Sequence, residues 1–246
     1  MISFLQNHPF PVEAYFESSL VLTFAIPKDE LMNLIPSCLE LDTFDDKWAF
    51  IAVALVQTKD LRPKGLPKIF GSDFYLVGYR VFVHYKTSQG KSKRGLFILK
   101  SETDKKRMEF LGNIFTHYKY TTTDINKVDD SNQTRINSSS SNFQIIYSDS
   151  AQKVSLPSSS PFQSWEIARK YAGPLPYTFS VNPDTKEVLL IKGVRKNWKP
   201  EPIKIIEQSF SFINEMKLEG IQLASAFITK NISYYWEKGQ LDKCTK

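Results

Sequence analysis

Strand-length apolar segments recur along the whole chain and are separated by short turns. In residues 18–26 (SSLVLTFAI) the even positions are strongly apolar, whereas the odd positions carry Ser19, Val21 and Thr23, which predicts a strand with one apolar face. The other main predicted strands are residues 48–56, 74–86, 94–100, 142–149, 177–181 and 224–236. Because no βαβ alternation is present, the sequence predicts an α+β protein, mainly antiparallel β, built on a curved sheet or β-barrel with a few short helices.

Short helices and turns are predicted between these strands. Residues 27–36 begin at Pro27 and end at Pro36, which predicts a short helix. Residues 39–60 predict a hairpin whose acidic turn lies at Asp45–Asp46. The remaining predictions are a loop at 61–72, turns between short strands at 126–142, and helices at 161–171 and 213–220.

The overall charge permits several kinds of partner. The formal net charge is +6, and the lysines are spread along the chain rather than gathered in arms. Because no basic stripe with interleaved stacking aromatics is present, no nucleic acid is expected as a partner. No stretch approaches the roughly 18 apolar residues that a membrane span needs, so no membrane is expected either.

Cysteine and histidine spacing gives no sign of a metal centre. Cys38 and Cys244 form no CxxC pair, so neither a disulfide framework nor a zinc site is predicted. His8, His84 and His117 lie far apart, so no metal and no other cofactor are predicted. The N-terminal segment lacks the features of a signal peptide. Together these observations predict a reduced, cytoplasmic compartment.

The order of several segments resembles a known family. These segments are IPKDELMNLIPSCLELDTFDDKWAFIAVALVQTKDLRPKGLP, YRVFVHYKTSQGKSKRGLFIL, WEIARKYAGPLPYTF, KNWKP and NISYYW. They look like the domain of unknown function 2071 (DUF2071) family, which resembles the acetoacetate decarboxylase fold, a β-barrel with a closed pocket. The resemblance covers about residues 15–237 and implies a small-molecule pocket. With no internal repeat or clear linker, a single domain over residues 1–246 is expected.

Acetoacetate decarboxylase uses a Schiff-base lysine whose pKa is depressed by a neighbouring cation and a dry pocket. Lys105 and Lys106 are adjacent, like the lysine pair of that enzyme. They lie in the first turn of a predicted helix that Thr103 or Asp104 can cap, so the pair is expected to be solvated surface charge. Lys119, in FTHYKYTTTD, is the better candidate nucleophile, because the resemblance implies the catalytic motif near this position.

Three departures from the family pattern argue against decarboxylase activity. Tyr120 stands where the resemblance implies the second lysine, and the proline that the family motif carries directly before its lysine pair is missing. The expected glutamate falls on the stretch from Ala49 to Ile51, and the expected N-terminal arginine falls near Glu17 or Ser18. Acetoacetate decarboxylase activity is therefore not expected.

Arg80 is the strongest candidate ligand-binding residue, because it sits in mid-strand in LVGYRVFVHY. A pocket arginine would hold a carboxylate or phosphate in a bidentate fork, whereas an outward arginine would only be solvated. Phe82 and His84 share its predicted face; Phe82 is a candidate wall and His84 a candidate proton donor. Glu102, at the end of the next strand, is a further candidate and could pair with Arg80.

Three functions follow as hypotheses. The first is a protein that binds a small, partly apolar, anionic metabolite in its interior, with Arg80, Phe82 and Glu102 in contact with the ligand. The second is an enzyme acting on a small carbonyl compound, with Lys119, Tyr118 and His84 as nucleophile, acid or base. The third is a structural or interaction protein with a filled barrel. A small molecule is the expected partner, and a homo-oligomer is possible.

Overall fold

The computed structural model describes residues 2–148, 154–173 and 175–244. In chain order its strands are β1 (Val12–Pro27), β2 (Glu40–Leu41), β3 (Trp48–Pro63), β4 (Ser72–Lys86), β5 (Ser92–Thr103), β6 (Tyr120–Thr122), β7 (Asn126–Asp129), β8 (Gln133–Ser138), β9 (Phe143–Ser148), β10 (Tyr177–Asn182), β11 (Glu187–Arg195), β12 (Glu201–Pro202), β13 (Lys204–Phe210), β14 (Gln222–Trp236) and β15 (Gln240–Lys243). Its α-helices are α1 (Ile2–Gln6), α2 (Lys28–Leu31), α3 (Lys106–Phe115), α4 (Trp165–Ala168) and α5 (Ser211–Glu215). Single 3-10 turns lie at Met32–Leu34, Lys68–Phe70 and Arg169–Tyr171.

The described strands form two sheets. The larger follows the order β12-β14-β1-β3-β4-β5-β10-β11-β15, with β2 beside β4 and β6 beside β5. β11 also pairs with β14, from Gly193–Trp236 to Arg195–Tyr234, so the path of hydrogen-bonded neighbours returns almost to its start. The smaller sheet has the order β13-β9-β8-β7. The predicted mainly antiparallel β class is confirmed, although β5 pairs in parallel with both β6 and β10.

The central strand β1 is buried on both faces. Its even-numbered residues from Leu20 to Ile26 belong to a core that also contains Ile145 and Phe210 of the smaller sheet. The odd-numbered residues Ser19 and Thr23 are buried too, on the other face, although the sequence predicted only one apolar face. The two sheets therefore share a core; a single domain over residues 1–246 remains a prediction.

Small residues on the second face of β3 create free space inside the protein. Phe50 fills one end of this face, with its ring 4.4 Å from that of Tyr171. The next two residues on this face are Ala52 and Ala54, whose methyl groups reach little beyond the backbone. A cavity lies over these two alanines.

A register shift between β4 and β5 shapes the wall of this cavity. Tyr79 pairs with Lys100, whereas the next residue, Arg80, pairs with Ile98. One residue of β5 is therefore unmatched, as in a β-bulge, which re-aims side chains locally. As a result both Ile98 and Ser101 line the cavity although they are three positions apart.

Most predicted elements are present, with shifted ends. The β4–β5 hairpin, the helix that follows it and the short strands within 126–142 are confirmed, but the helix begins at Lys106 with Lys105, rather than Thr103 or Asp104, at its N-cap. The predicted strand 142–149 is found as Phe143–Ser148, and residue 149 lies outside the described residues. The sequence did not predict helix α1 or strand β15.

The predicted hairpin over residues 39–60 is wrong. Glu40 and Leu41 pair with His84 and Val83 of β4 rather than with β3. The acidic turn at Asp45–Asp46 is present, but the pairing on either side of it is a single bridge between Phe44 and Trp48. A turn is encoded locally, whereas the partner of the preceding strand is chosen by contacts far away in the sequence.

The absence of a disulfide was also predicted wrongly. Cys38 and Cys244 form a disulfide; they are 206 positions apart in sequence, and their Cα atoms are 5.7 Å apart. β15 brings the second cysteine into place, because the Tyr85 hydroxyl donates to Asp242 at 2.9 Å. Such a distant pair has no spacing signature. Because disulfides are rare in the cytosol, the cysteines no longer support a reduced compartment.

Candidate functional site

A cavity of about 390 Å³ lies between the second face of β1, β3, β4 and β5 and the helix α3. Most of its walls are apolar, formed by side chains such as Val21, Ala54, Leu76, Leu96, Met108 and Leu111. Three arginines, Arg62, Arg80 and Arg107, also line it, whereas no Asp or Glu among the described residues does so. Arg62 is paired with Glu13 at 2.7 Å and Arg107 is exposed, so Arg80 is the inward arginine for which no carboxylate partner is found in the described part of the chain.

Arg80 carries its charge into this cavity from the middle of β4. It lies opposite Ala52 of β3, whose small side chain leaves the guanidinium room. The guanidinium folds back over Gly78, where an added Cβ would stand 2.9 Å from Nε. Nε of Arg80 is buried and has no hydrogen-bond partner. A buried donor left unsatisfied costs free energy, which a ligand acceptor would recover.

The electrostatic neighbours of Arg80 are phenols rather than carboxylates. Burial lowers the pKa of Arg80, and Tyr120, Tyr234 and Tyr118 act in the opposite direction. An arginine nevertheless keeps its charge in proteins. The site therefore holds a buried cation without a carboxylate partner in the described part of the chain, which is an arrangement suited to an anion.

A left-handed residue lets two neighbouring tyrosines face the cavity. Lys119 has a φ of 52° and is exposed, while Tyr118 and Tyr120 on either side both line the cavity. The side chain of Asn113 on α3 holds this segment, because it accepts from the Tyr120 N–H at 2.7 Å and donates to its carbonyl at 2.9 Å. The ring of Tyr120 packs on Gly112, where a Cβ would meet it at 2.4 Å.

The two tyrosines are hydrogen-bond donors at neutral pH. Burial raises the pKa of Tyr118 well above its ordinary value and that of Tyr120 to about 12. The buried hydroxyl of Tyr118 makes no hydrogen bond of acceptable geometry, although Thr178 lies close enough to favour its ionised form. Beside Arg80, such phenols would donate to a bound anion.

His8 supplies a third unpartnered polar group to the cavity. Its Nε2 is buried without a hydrogen-bond partner, and burial lowers its pKa to about 4. The imidazole is therefore neutral near pH 7. Five described residues have such orphaned side-chain atoms, and three of them, His8, Arg80 and Tyr118, line this one cavity.

The structure brings Arg80 and Tyr118 together and places the other candidate residues elsewhere. Lys119 points to solvent, as described above. Phe82 is fully buried behind the cavity, with its ring 6.2 Å from that of Phe50. His84 lies near the far end of the strand, where Nε2 is 3.1 Å from Oδ1 of the buried Asp42.

Glu102 does not pair with Arg80. Its carboxylate is buried on the opposite face of the sheet, 2.7 Å from Nζ of Lys100, and accepts from the Tyr79 hydroxyl at 3.3 Å. Side chains alternate between the two faces along a strand. Glu102 lies opposite Val77, whose side chain is on the face of β4 away from Arg80. The pairing with Arg80 that the sequence allowed is therefore absent, and Lys100 takes the place of Arg80 as the partner of Glu102.

The lysine pair lies where the sequence predicted it. Lys105 and Lys106 are exposed at the start of α3, and Lys105 is 3.2 Å from Asp104. Neither lines the cavity. No lysine is among the cavity-lining side chains in the described ranges.

Sequence reasoning missed Tyr120, Tyr234 and His8. The pattern YKY does contain a signal, because two tyrosines flank a polar residue in a short segment that leads into β6. Tyr234 belongs to the even-numbered face of β14 and packs against Phe16 at 4.9 Å between ring centroids. His8 lies in a loop without periodicity, so no sequence pattern identifies it.

The fold is similar to that of solved acetoacetate decarboxylases and of enzymes described as like them. An acetoacetate decarboxylase from Legionella pneumophila subsp. pneumophila str. Philadelphia 1 superposes with a TM-score of 0.64 at 12% identity, over 95% of this chain and 87% of the other. An acetoacetate decarboxylase-like enzyme from Sphingomonas wittichii RW1 gives 0.60 at 10% identity, over 96% and 94%. The enduracididine biosynthesis enzyme MppR, complexed with the condensation product of pyruvate and imidazole 4-carboxaldehyde, gives 0.56 at 10%, over 97% and 91%. At these identities the likeness concerns the fold alone.

The sequence itself identifies the family. The profile of DUF2071, described as an uncharacterized conserved protein family, matches residues 13–232. The chain belongs to the DUF2071 family, as its motifs indicated. No curated protein matches the chain significantly. Within the described ranges, none of the helices has the length and apolar character required to cross a membrane.

Proposed function

We propose that this protein binds a small, partly apolar, anionic metabolite in its interior cavity, with Arg80 as the anchor. The observation that carries the proposal is the guanidinium of Arg80, which lines an apolar cavity, has a buried and unpartnered Nε, and has no carboxylate partner among the described residues. A cation removed from water is costly unless it is paired. A ligand carboxylate or phosphate would pair with it and accept hydrogen bonds from Tyr118.

The size and lining of the cavity support a small organic ligand. Ligand sites usually enclose about 300–1,000 Å³, with apolar walls and a few convergent polar groups. The volume of about 390 Å³ falls in this range. MppR, which shares the fold, has been solved with a product derived from pyruvate, a small carboxylate. We also infer that the larger sheet, with its returning path of strands, is a barrel around this cavity.

The test compares an aromatic carboxylate with its neutral counterpart. Binding of 3-phenylpropionate and of 3-phenylpropanol is measured by calorimetry on the full chain. We expect the acid to bind at least about tenfold more tightly, because a buried charge-assisted pair contributes more than a neutral contact. Equal affinities, or preference for the alcohol, would contradict the proposal.

A pair of arginine variants sharpens this test. Arg80→Met keeps the length of the side chain and removes its charge, so we expect it to abolish the preference for the acid. Arg135→Met is the matched control, because Arg135 is exposed on β8 and belongs to the smaller sheet. If both variants lose the preference for the acid, the net charge of the protein, rather than the cavity, governs binding.

The enzymatic alternative has support from one residue. Tyr118 places a buried, protonated hydroxyl in the cavity, where it could act as a proton donor to a small carbonyl compound. Lys119 and His84, the other members of the proposed catalytic set, lie outside the cavity. Borohydride trapping with small β-keto acids should therefore give no stoichiometric adduct on Lys119. Such an adduct, mapped by mass spectrometry, would restore amine catalysis.

The alternative of a filled interior has less support, because the cavity over Ala52 and Ala54 is open space. Contact of Phe82 or Glu102 with the ligand would require side chains to move from their buried positions. Self-association stays a proposal, which a mass measurement in solution would test.

A further inference from the structure

A second feature of the molecule lies outside the cavity, at the loop of residues 63–71, PKGLPKIFG, here called the apolar loop. All residues from 64 to 70 are exposed. The exposed fraction is 86% for Ile69 and 59% for Phe70, and Leu66 is also exposed. Large apolar side chains grouped on one exposed loop mark a contact surface more often than scattered ones do.

The apolar loop is held in place rather than left free. The guanidinium of Arg62 donates to the carbonyl oxygens of Leu66 and Asp60, both at 2.8 Å, and forms a 2.7 Å ion pair with Glu13. At its other end Gly71 packs so closely that an added Cβ would stand 2.8 Å from the Cα of Asp60. The protein therefore fixes the backbone of a segment whose side chains it does not bury.

Cations surround the apolar loop. Lys64 and Lys68 belong to it, and the loop contains no acidic residue. Both line a surface depression of about 510 Å³ that also contains the exposed Lys196. Lys64 and Lys196 form no ion pair with any described residue, while Nζ of Lys68 is 3.4 Å from Asp60. Glu13 and Asp60 also line the depression, but Glu13 is paired with Arg62, so Lys64 and Lys196 leave a net positive charge there; Tyr15 and Tyr235 add aromatic surface.

The apolar loop is also the rim of the ligand cavity. Pro63 and Phe70 line that cavity although Phe70 is largely exposed. A surface that binds this loop would therefore adjoin the cavity entrance.

We propose that the apolar loop docks on an anionic lipid surface, with Ile69, Phe70 and Leu66 inserted between the headgroups. Apolar side chains next to lysines and tyrosines are the composition that interfacial membrane binding uses. This departs from the expectation that no membrane is involved. If the proposed function holds, the bilayer would be the source of the partly apolar anion; the docking itself does not depend on it.

A second copy of the chain fits the surface less well. In a two-fold contact through the apolar loop, Lys64, Lys68 and Lys196 of one copy would face the same residues of the other. Like charges brought together in this way oppose association. A bilayer rich in anionic lipid complements both the apolar and the cationic parts.

The experiment is sedimentation of the full chain with vesicles of phosphatidylcholine, with and without phosphatidylglycerol. We expect binding to the anionic vesicles that weakens as salt is added. Ile69→Asp should lower the vesicle affinity by about tenfold or more, since it removes apolar area and adds a repelled charge. Lys68→Gln should lower it roughly fivefold.

The matched control is Ile206→Asp, because Ile206 is 52% exposed on β13 of the smaller sheet, away from the apolar loop in the topology. It should bind vesicles like the unchanged chain. No binding to anionic vesicles, or equal losses in the Ile69 and Ile206 variants, would overturn the proposal. A dimer that Ile69→Asp converts to a monomer would instead assign the loop to a second copy and overturn it too.

Arg80→Met separates the two proposals. This variant should lose its preference for 3-phenylpropionate and still bind anionic vesicles. If the unchanged chain binds vesicles but not the acid, the proposed function fails and the docking stands. The reverse result would leave the cavity proposal in place and reject the docking.

Discussion

At the scale of single residues, the site depends on one glycine beside Arg80. Gly78 leaves the space in which the guanidinium lies. We expect Gly78→Ala to weaken binding of 3-phenylpropionate by about tenfold, because the new methyl group displaces the charged end of the side chain. The fold should survive, because the displaced atoms belong to a flexible side chain. Calorimetry with the acid and the neutral alcohol checks this, and equal losses for both ligands would contradict it.

His8 makes stability depend on pH. Its pKa is about 4 in the folded chain against the ordinary 6.5, because burial disfavours the charged imidazole. Between these values the unfolded chain binds more protons, so stability is lost as the pH falls from about 6.5 to 4, by up to about 3 kcal/mol. Burial also lowers the pKa of His117, which adds in the same direction.

The variant His8→Asn tests this pH dependence. Asparagine tolerates the left-handed backbone at this position, where φ is 52°. We expect the variant to show a flatter loss of unfolding free energy between pH 6.5 and 4, measured by urea denaturation. An unchanged slope would assign the acid sensitivity to other groups.

The sequence predicted part of the site residue by residue. Arg80 could be chosen because a mid-strand arginine that faces a pocket would bind an anion, but the sequence left open an outward, solvated arginine. Glu102 could not be excluded, since strand alternation beyond a bulge is not readable from the sequence alone. Tyr120 was noticed only as the residue that replaces a lysine, and the left-handed backbone of Lys119, which turns both neighbouring tyrosines inward, has no sequence signature.

At the scale of elements, β3 controls whether the interior is open. Ala54 faces the cavity and Val53 faces the closed core on the other side of the strand. We expect Ala54→Leu to reduce affinity for 3-phenylpropionate at least about tenfold with little loss of stability, because the larger side chain enters empty space. Val53→Leu should instead destabilise the fold by about 1–3 kcal/mol, since it overpacks a filled core.

Calorimetry and urea denaturation of the two variants check this contrast. If both variants lose stability equally, the space over Ala54 is not available to a side chain. If Ala54→Leu binds the acid normally, the ligand occupies another part of the cavity.

The strands themselves were easier to predict than their partners. Alternation in β1 and the apolar run in β3 identified both strands, but the pattern of β1 predicted only one apolar face and said nothing of burial on the other. Ser19 and Thr23 are buried there, because the protein covers that face with α4, the segment after it and the cavity. The parallel pairing of β5 with β10 and the pairing of β2 with β4 depend on contacts between distant residues, so no local pattern could show them.

At the scale of the whole molecule, the Cys38–Cys244 disulfide ties the last strand to an early segment. We expect Cys244→Ser to lower the unfolding free energy by about 2–4 kcal/mol, because the bond restricts the unfolded chain over a long loop. Urea denaturation with and without a thiol reductant measures this. The reductant should destabilise only the unchanged chain; an equal effect on the variant would mean that it acts elsewhere.

The same bond has a consequence for the apolar loop, which lies between the two cysteines in sequence. A protease that cuts the loop would leave two fragments joined through Cys38 and Cys244. The nicked protein would migrate as one band on a gel without reductant and as two bands with it. When vesicles cover the cleavage site, both fragment bands on the reducing gel should weaken and the band of the uncut chain should remain.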